Sequence, residues 1–290
     1  MEFSVVIAAY NASSTLERTL NSIYNQSYQD FEVIVVDDAS QDFEKTVLIV
    51  DKFLALGMKI RLISHEVNRN GAAARNTGID HAQGHHIVFI DADDEWLETK
   101  LEVYKEKIDL LESPSLIFSQ VSVSSNGNIS SSRPNKGPNK EQHISEYLFL
   151  SGGFIQTSTI CVPTDFAKSL RFDDRFRRHQ DYDFCLRAYH KEIPFIFIKK
   201  SLTIYHVEGK VFKSKLEDVN YCYWWLNEMR LYMSELGYGG YKFFLISGRL
   251  YCARSWLPLI KNILSSLKLI GIKGVWISRD KVKFILRNIF

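Results

Sequence analysis

Two runs of carboxylates stand directly after short segments rich in Val and Ile: Asp37-Asp38 after Phe31–Val36, and Asp91-Ala92-Asp93-Asp94 after His86–Ile90. Segments of that kind read as strands buried on both faces, and in an open α/β sheet ligands bind beyond the carboxyl ends of the strands. Acids crowded at such an edge repel one another and lower stability unless a cation or ligand joins them. Asp37 or Asp94 alone would serve equally well as the cap of a following helix. The D-x-D-D run suits Mg2+ or Mn2+ held by one or two carboxylates together with phosphate oxygens, so it points to a substrate carrying phosphate. Gly71-Ala72-Ala73-Ala74-Arg75-Asn76 agrees with this. Small residues at a helix start let a ligand approach, and Arg75 offers a planar fork to a phosphate or a base carbonyl. The alanines fit a close helix–sheet contact equally well. No G-x-G-x-x-G follows the first strand, which disfavours a dinucleotide-binding Rossmann domain.

These residues need elements to carry them. The chain opens with a strand over Phe3–Ala9 and a break at Tyr10-Asn11-Ala12-Ser13. A helix then runs to about Gln26, with Ser14-x-x-Glu17 as its capping box. Strands follow at Phe31–Val36, Lys59–Ser64, His86–Ile90 and Leu116–Val123. They alternate with helices over Glu44–Leu56, Ala72–Gln83 and Glu98–Leu111. Such alternation with short links predicts right-handed crossovers and a mostly parallel central sheet, an α/β fold. Ser124–Gln142, rich in Ser, Asn, Gly, Pro and Lys, reads as a long mobile loop. After it the pattern is α+β. Helices are expected near His143–Leu150 and Asp181–His190, and strands near Ile155–Val162, Phe195–Ile198 and Leu202–His206. Beyond Val211 the pattern is helical. The expected organisation is a catalytic domain over 1–210, divided into halves at 125/126, and a helical region over 211–290.

Composition limits the function classes. The chain has 290 residues, 46% hydrophobic and 24% charged, which allows a packed core. A formal net charge of +2 argues against a nucleic-acid partner. The charge is uneven: Gly239–Phe290 carries ten Lys and Arg but one acid, Asp280. Within it Leu257, Ile260, Leu264 and Leu267 form an apolar stripe at helical spacing. Lys261 and Lys268 border the stripe, and Asn262 and Ser266 lie opposite. That is the pattern of a helix lying on an anionic membrane surface, or of one packed by its stripe on the catalytic domain. The N-terminus has no basic run or cleavage signal and does not read as a secretory leader. No span long and apolar enough to cross a membrane is expected, since Lys261, Lys268 and Lys273 break the best candidate. Cys161, Cys185, Cys222 and Cys252 form no C-x-x-C pair, so a zinc or disulfide framework is not expected and a reducing compartment is.

Four motifs then occur in order: Val5-Val6-Ile7-Ala8-Ala9-Tyr10-Asn11; Val33-Ile34-Val35-Val36-Asp37-Asp38-Ala39-Ser40; Gly71-Ala72-Ala73-Ala74-Arg75-Asn76-Thr77-Gly78; and Phe89-Ile90-Asp91-Ala92-Asp93-Asp94. Over about residues 3 to 208 the chain resembles family 2 glycosyltransferases, inverting enzymes of the GT-A fold that use nucleotide sugars. Ala8 departs from the proline usual there. The resemblance implies that Ala9, Tyr10 and Asp38 hold the base, usually uracil, and that Arg75 approaches the base or diphosphate. By the same resemblance Asp91 contacts the ribose, Ala92 belongs to the nucleotide site, and Asp93 binds the Mn2+ or Mg2+. Tyr10 has a ring to stack on, and Asp38 can accept from the base imide.

Arg177-Arg178-His179-Gln180-Asp181-Tyr182-Asp183-Phe184-Cys185-Leu186-Arg187 is similar to the family's helix start whose first Asp is the catalytic base, which makes Asp181 that base. The chemistry requires one, because an acceptor hydroxyl is a poor nucleophile until a carboxylate takes its proton. Asp181 and Asp183 would also suit a plain helix N-terminus. Asp183 is the competing base, and Arg187 reads as an ion-pair partner. By resemblance His206 lies near the diphosphate or metal, and Ser158-Thr159 lie at the acceptor floor.

The implied protein is a glycosyltransferase moving a sugar from a UDP-sugar or other nucleotide sugar to an acceptor hydroxyl. The acceptor is a carbohydrate or lipid-linked diphosphate-sugar, and the setting is surface-polysaccharide synthesis in the cytoplasm, peripheral on the inner face of the membrane. Two other readings compete. A receiver-like phosphoryl-transfer protein needs a lysine at the end of the fifth strand, which Val121–Ser125 lacks, and a D-x-D phosphatase usually puts its aspartates after the first strand. A catalytically inactive sugar-nucleotide-binding protein has no need to keep Asp38, Asp93 and Asp181 together.

Overall fold

The computed structural model describes residues 1–125, 127–207 and 218–279. Strands β1 (Phe3–Ala9), β2 (Phe31–Asp37), β3 (Ile60–Ser64) and β4 (His86–Asp91) are parallel, in the order β3-β2-β1-β4. Helices α1 (Leu16–Tyr24), α2 (Phe43–Ala55) and α3 (Asn70–His81) connect them. Every position of β2 is buried, and five of its seven residues are apolar, which fits a strand covered on both faces. Because β1 is flanked by β2 on one side and β4 on the other, the strand order reverses there and opens a crevice at the carboxyl ends. Registers Ala9↔Asp37 and Ala8↔Asp91 bring both acidic runs to that edge.

Beyond β4 the sheet becomes mixed. After β5 (Glu95–Trp96) and α4 (Lys100–Asp109) come β6 (Leu116–Ser125), β7 (Asn128–Arg133), α5 (Ile144–Phe149), β8 (Cys161–Pro163), α6 (Thr164–Leu170), α7 (Gln180–His190) and β9 (Phe195–His206). β8 joins β4 antiparallel, and β6 lies parallel to β9. The parallel half anticipated from the alternating pattern is therefore extended by a mixed half.

Several local expectations fail for identifiable reasons. The Ser14–Glu17 capping box does not form: α1 starts at Leu16 without a side-chain cap, and Glu17 is taken by Lys52 of α2. Ser124–Gln142 is not an open loop. It turns back as β7 on β6, and Lys136 and Pro134 carbonyls accept from Tyr147 and Gln120 at 2.9 Å each. Ile155–Val162 is only partly a strand. The Gln156 side chain accepts from the Ser158 amide at 2.9 Å and winds Thr157–Thr159 into a 3-10 turn. The two strands expected near Phe195 and Leu202 are one, with irregular pairing to β6 near Gln120.

The expected boundary at 210/211 lies outside the described residues. Past it, α8 (Val219–Glu228), α9 (Glu235–Tyr241), α10 (Ser247–Cys252) and α11 (Trp256–Ile277) are helical, as the pattern indicated. Cys222, Trp225, Leu226 and Tyr241 share one hydrophobic core with Phe149 and Phe184 and with Val6 and Phe89 of the sheet, so these helices are built into the core beneath it. α11, kinked at Gly271, buries the polar Asn262 and Ser266 along with Ile270. Asn262 Nδ2 donates to the Lys242 carbonyl at 2.8 Å. Leu257, Ile260 and Leu264 are 55–68% exposed, so the stripe does not pack on the catalytic domain. Cys161, Cys185, Cys222 and Cys252 are free thiols. No helix among the described residues is long and apolar enough to cross a membrane.

Candidate active site

A cleft of about 780 Å3 opens at the strand-order reversal, within the ~300–1,000 Å3 usual for small-molecule sites. Ala9, Tyr10, Asp38, Arg75, Asp91, Ala92, Asp93 and His206 all line it. Tyr10 leaves its ring half exposed beside buried Ala9. The buried Asp38 carboxylate accepts from the Arg69 amide through both oxygens, at 2.9 and 3.1 Å, and from His65 Nδ1 at 2.7 Å on Oδ1. A carboxylate has about four lone-pair sites, so Oδ2 keeps one for a ligand donor. His65 Nε2 in turn meets Thr77 Oγ1 at 2.9 Å. This His65–Asp38 support was not evident from sequence, because it comes from a turn far from either acidic run.

α3 carries Arg75 into the cleft. Its alanines bury against the sheet, and at Gly78 a Cβ would sit 2.3 Å from a Val6 methyl, so close helix–sheet packing accounts for the small residues there. Gly71 has a different reason: its Cβ would crowd Arg75 Nη1 at 3.1 Å and Gln180 Oε1 at 3.3 Å. Arg75 donates to Gln180 Oε1 at 2.6 Å and to Asp91 Oδ1 at 2.5 Å.

The Asp91-Ala92-Asp93-Asp94 turn is held from below. Arg18 Nη2 donates to the Asp93 carbonyl at 2.7 Å and Thr19 Oγ1 to the Asp94 carbonyl at 2.8 Å. Asp94 is fully buried and accepts from Gln156 Nε2 at 2.8 Å, Ser158 Oγ at 2.5 Å and the His206 amide at 3.2 Å. Burial, then the charges of Asp91 and Asp93, hold its carboxyl well above the ordinary range. Ligand oxygens of Asp91, Asp93 and Asp94 lie within 4.8 Å of one another. This all-oxygen set, with like charges already opposing ionisation, fits a hard divalent cation. Asp93 is its exposed member. His206 lines the cleft, but its Nε2 meets Glu95 Oε1 at 2.6 Å and it stands outside the three-carboxylate group. Ser158 and Thr159, expected at the acceptor floor, are buried under this turn instead. Gln156 has no sequence signal for its role; its amide bridges Asp91 and Asp94 only through the fold.

α7 starts at Gln180, directly beside Arg75, and so brings Asp181 to the same place. Asp181 Oδ1 accepts from the Tyr182 amide at 2.9 Å. Its pKa is raised to about 6, first by burial and then by the nearby Asp91 charge, against the pull of Arg75. Asp183 is held differently. It is buried, accepting from Arg187 Nε at 2.6 Å and Nη2 at 2.5 Å, with Arg187 also holding the Leu170 and Arg171 carbonyls. Arg187 is thus the structural ion-pair partner expected. Burial, then the Asp94 and Asp91 charges, push the Tyr205 hydroxyl up to about 12 on the facing wall.

A family model described as Glycosyl transferase family 2 matches residues 4–192. The chain belongs to glycosyl transferase family 2. The amylovoran biosynthesis glycosyltransferase AmsB of Erwinia amylovora is 41% identical over 247 residues, covering 83% of this chain and 82% of its own. The UDP-Glc:alpha-D-GlcNAc-diphosphoundecaprenol beta-1,3-glucosyltransferase WfgD of Escherichia coli is 36% identical over 100 residues, 34% of this chain and 38% of its own. Among solved structures, S. aureus TarS 1-349 in complex with UDP-GlcNAc superposes with a TM-score of 0.68 at 20% identity, over 96% of this chain and 84% of that one. The fold is GT-A, and this family 2 member is a glycosyltransferase.

Proposed function

We propose that the protein transfers a sugar from a UDP-sugar to a hydroxyl of a lipid-linked, diphosphate-bearing saccharide during surface-polysaccharide assembly. The observation that carries this reading is Asp181: a carboxylate raised to about 6, at the start of α7, beside the Arg75–Asp91 pair of the cleft. A base with its pKa near the working pH is the efficient kind. Asp181 takes the acceptor proton as the oxygen attacks donor C1. The bond from C1 to the diphosphate oxygen breaks, and the anomeric configuration inverts. Ala9, Tyr10 and Asp38 bind the uracil, while Asp91 contacts the ribose and Ala92 belongs to the nucleotide site. Asp93 with Asp91 would hold Mn2+ or Mg2+, with His206 as a further ligand. Such a cation neutralises charge on a diphosphate.

The names of AmsB and WfgD support the polysaccharide setting and a diphospholipid acceptor. A cytoplasmic place on the inner face of the membrane follows from a cytosolic nucleotide sugar and from the outward apolar stripe of α11. Residues 1–125 are the nucleotide half, 126–210 the acceptor half, and 211–290 the basic, helical C-terminal region. A thermal-shift screen of nucleotide sugars with Mn2+, followed by transfer to a diphospholipid-linked sugar and NMR of the product anomer, tests the proposal. A retained anomer contradicts single displacement, and stabilisation by GDP-sugars alone overturns the uracil assignment.

A further inference from the structure

We propose that Arg249 is a phosphate-binding residue of the transfer site, delivered to it by the C-terminal helices. The inference rests on the donor and acceptor proposed above. Arg249 belongs to α10, far along the chain from the sequence motifs, yet its side chain lines the same cleft as Asp93, Tyr182 and His206. Its Nε is buried without a hydrogen-bond partner, and its guanidinium forms no ion pair among the described residues. Arg18 and Arg75 of the cleft also leave Nε without a hydrogen-bond partner, but their outer nitrogens are committed, Arg75 to Gln180 and Asp91 and Arg18 to the Asp93 carbonyl. A structural arginine in this protein looks like Arg187, which has a carboxylate and two carbonyls around it. An unpaired buried donor is destabilising, and a ligand in the cleft can relieve that cost.

The ligand that fits is an anion with two oxygens spaced to meet the planar fork of the guanidinium. A guanidinium binds two phosphate oxygens at once, and the proposed reaction has a phosphate at each end. Arg249 also acts electrostatically on Tyr182 and on His179, the residues on either side of Gln180-Asp181, so it stands at the end of the cleft where the acceptor meets the base. The shared chemistry is a diphosphate oxygen. Its source is either the departing nucleotide or the lipid-linked acceptor.

Arg249→Met and Arg249→Lys, in the full chain, separate these. Each would be titrated calorimetrically with UDP and with pyrophosphate, and assayed for the KM of donor and acceptor. We expect Arg249→Met to melt like wild type, since no partner is lost, and to weaken phosphate recognition about tenfold, some 1.4 kcal/mol. Arg249→Lys should recover part of it. Weaker UDP binding identifies the donor. Unchanged UDP binding with a raised acceptor KM identifies the acceptor diphosphate. Affinities and both KM values within twofold of wild type overturn the proposal. Wild-type turnover in the same assay tests the proposed reaction separately, and the pyrophosphate titration still reads Arg249 if that reaction is wrong.

Discussion

Arg75 Nη1 lies 2.6 Å from Gln180 Oε1, a bond that closes 105 residues of chain and joins α3 to the start of α7. Through its other nitrogen the same guanidinium holds Asp91. The donor side of the cleft and the residue next to Gln180, Asp181, are therefore set by one side chain. A lysine cannot span both partners as a fork does. Arg75→Lys should lower kcat/KM about tenfold or more while the protein stays folded, given ~1.5–3 kcal/mol for a hydrogen bond to a charged group. Wild-type kinetics in that variant would show that the bridge does not position the site.

Asp181→Asn should keep UDP binding and lose transfer by about 10²–10⁴-fold. It should also gain stability. The folded pKa, about 6, is raised above the ordinary carboxyl value, so the folded state resists ionisation and pays a penalty at neutral pH. That penalty is on the order of 2 kcal/mol after allowing for partial exposure. Denaturant unfolding should show the variant more stable at pH 7.5, with the gain vanishing as pH falls from 6 towards 4. A variant no more stable at pH 7.5, with normal turnover, would remove Asp181 from the site.

The same shift sets an acid limb. Asp181 must be ionised to accept a proton, so kcat/KM should fall about tenfold per pH unit below about 6. The residual rate of Asp181→Asn should lack that limb. If the limb persists, another group titrates.

Asp183 should behave oppositely. Removing one member of a buried pair leaves Arg187 without its counter-charge, at a cost of about 3 kcal/mol. Asp183→Asn should unfold at lower denaturant while folded molecules still transfer. Normal stability with lost transfer would move the base to Asp183.

Much of this was legible in sequence because it is local. Buried strands ending in acids read as β2 and β4, and their carboxyl ends are where the cleft lies. The family resemblance already pointed to Asp181 over Asp183, although both suit a helix start; that Asp183 is locked by Arg187, which also holds the Leu170 and Arg171 carbonyls, came only from the fold. Gln156, His65 and Arg249 were invisible. Each reaches the site from a segment without a motif, by tertiary contact alone. The 124–142 segment misled because Ser and Asn suggest a loop, whereas pairing to an existing edge strand overrides weak strand propensity.

The acidic turn predicts linked binding of metal and nucleotide. UDP should raise the melting temperature more with Mn2+ than with EDTA, because the cation relieves repulsion among Asp91, Asp93 and Asp94 and neutralises the diphosphate. Asp93→Ala should abolish the difference. Equal shifts in Mn2+ and EDTA would make nucleotide binding independent of a metal.

The outer face of α11 predicts reversible attachment to anionic bilayers. A helix of a soluble domain ordinarily buries its apolar stripe, whereas here Asn262 and Ser266 face inward and Leu257, Ile260 and Leu264 face out. Trp256 and Trp276, both exposed, stand at its two ends, and exposed Lys261, Lys268 and Lys273 are its only charged residues. Indole rings favour the headgroup level, and each lysine near an anionic surface adds about 1 kcal/mol. Deleting the C-terminal helices is a poor test, because Trp225 and Tyr241 belong to a core shared with the sheet. Ile260→Glu with Leu264→Glu is better, since both positions are exposed and the fold does not depend on them. The wild-type chain should float with vesicles rich in anionic lipid at low salt and release in part at high salt. The double variant should stay in the soluble fraction with an unchanged melting temperature. If the wild type also stays soluble, and instead dissociates from an oligomer when the two glutamates are introduced, then another copy of the chain, not lipid, covers the stripe.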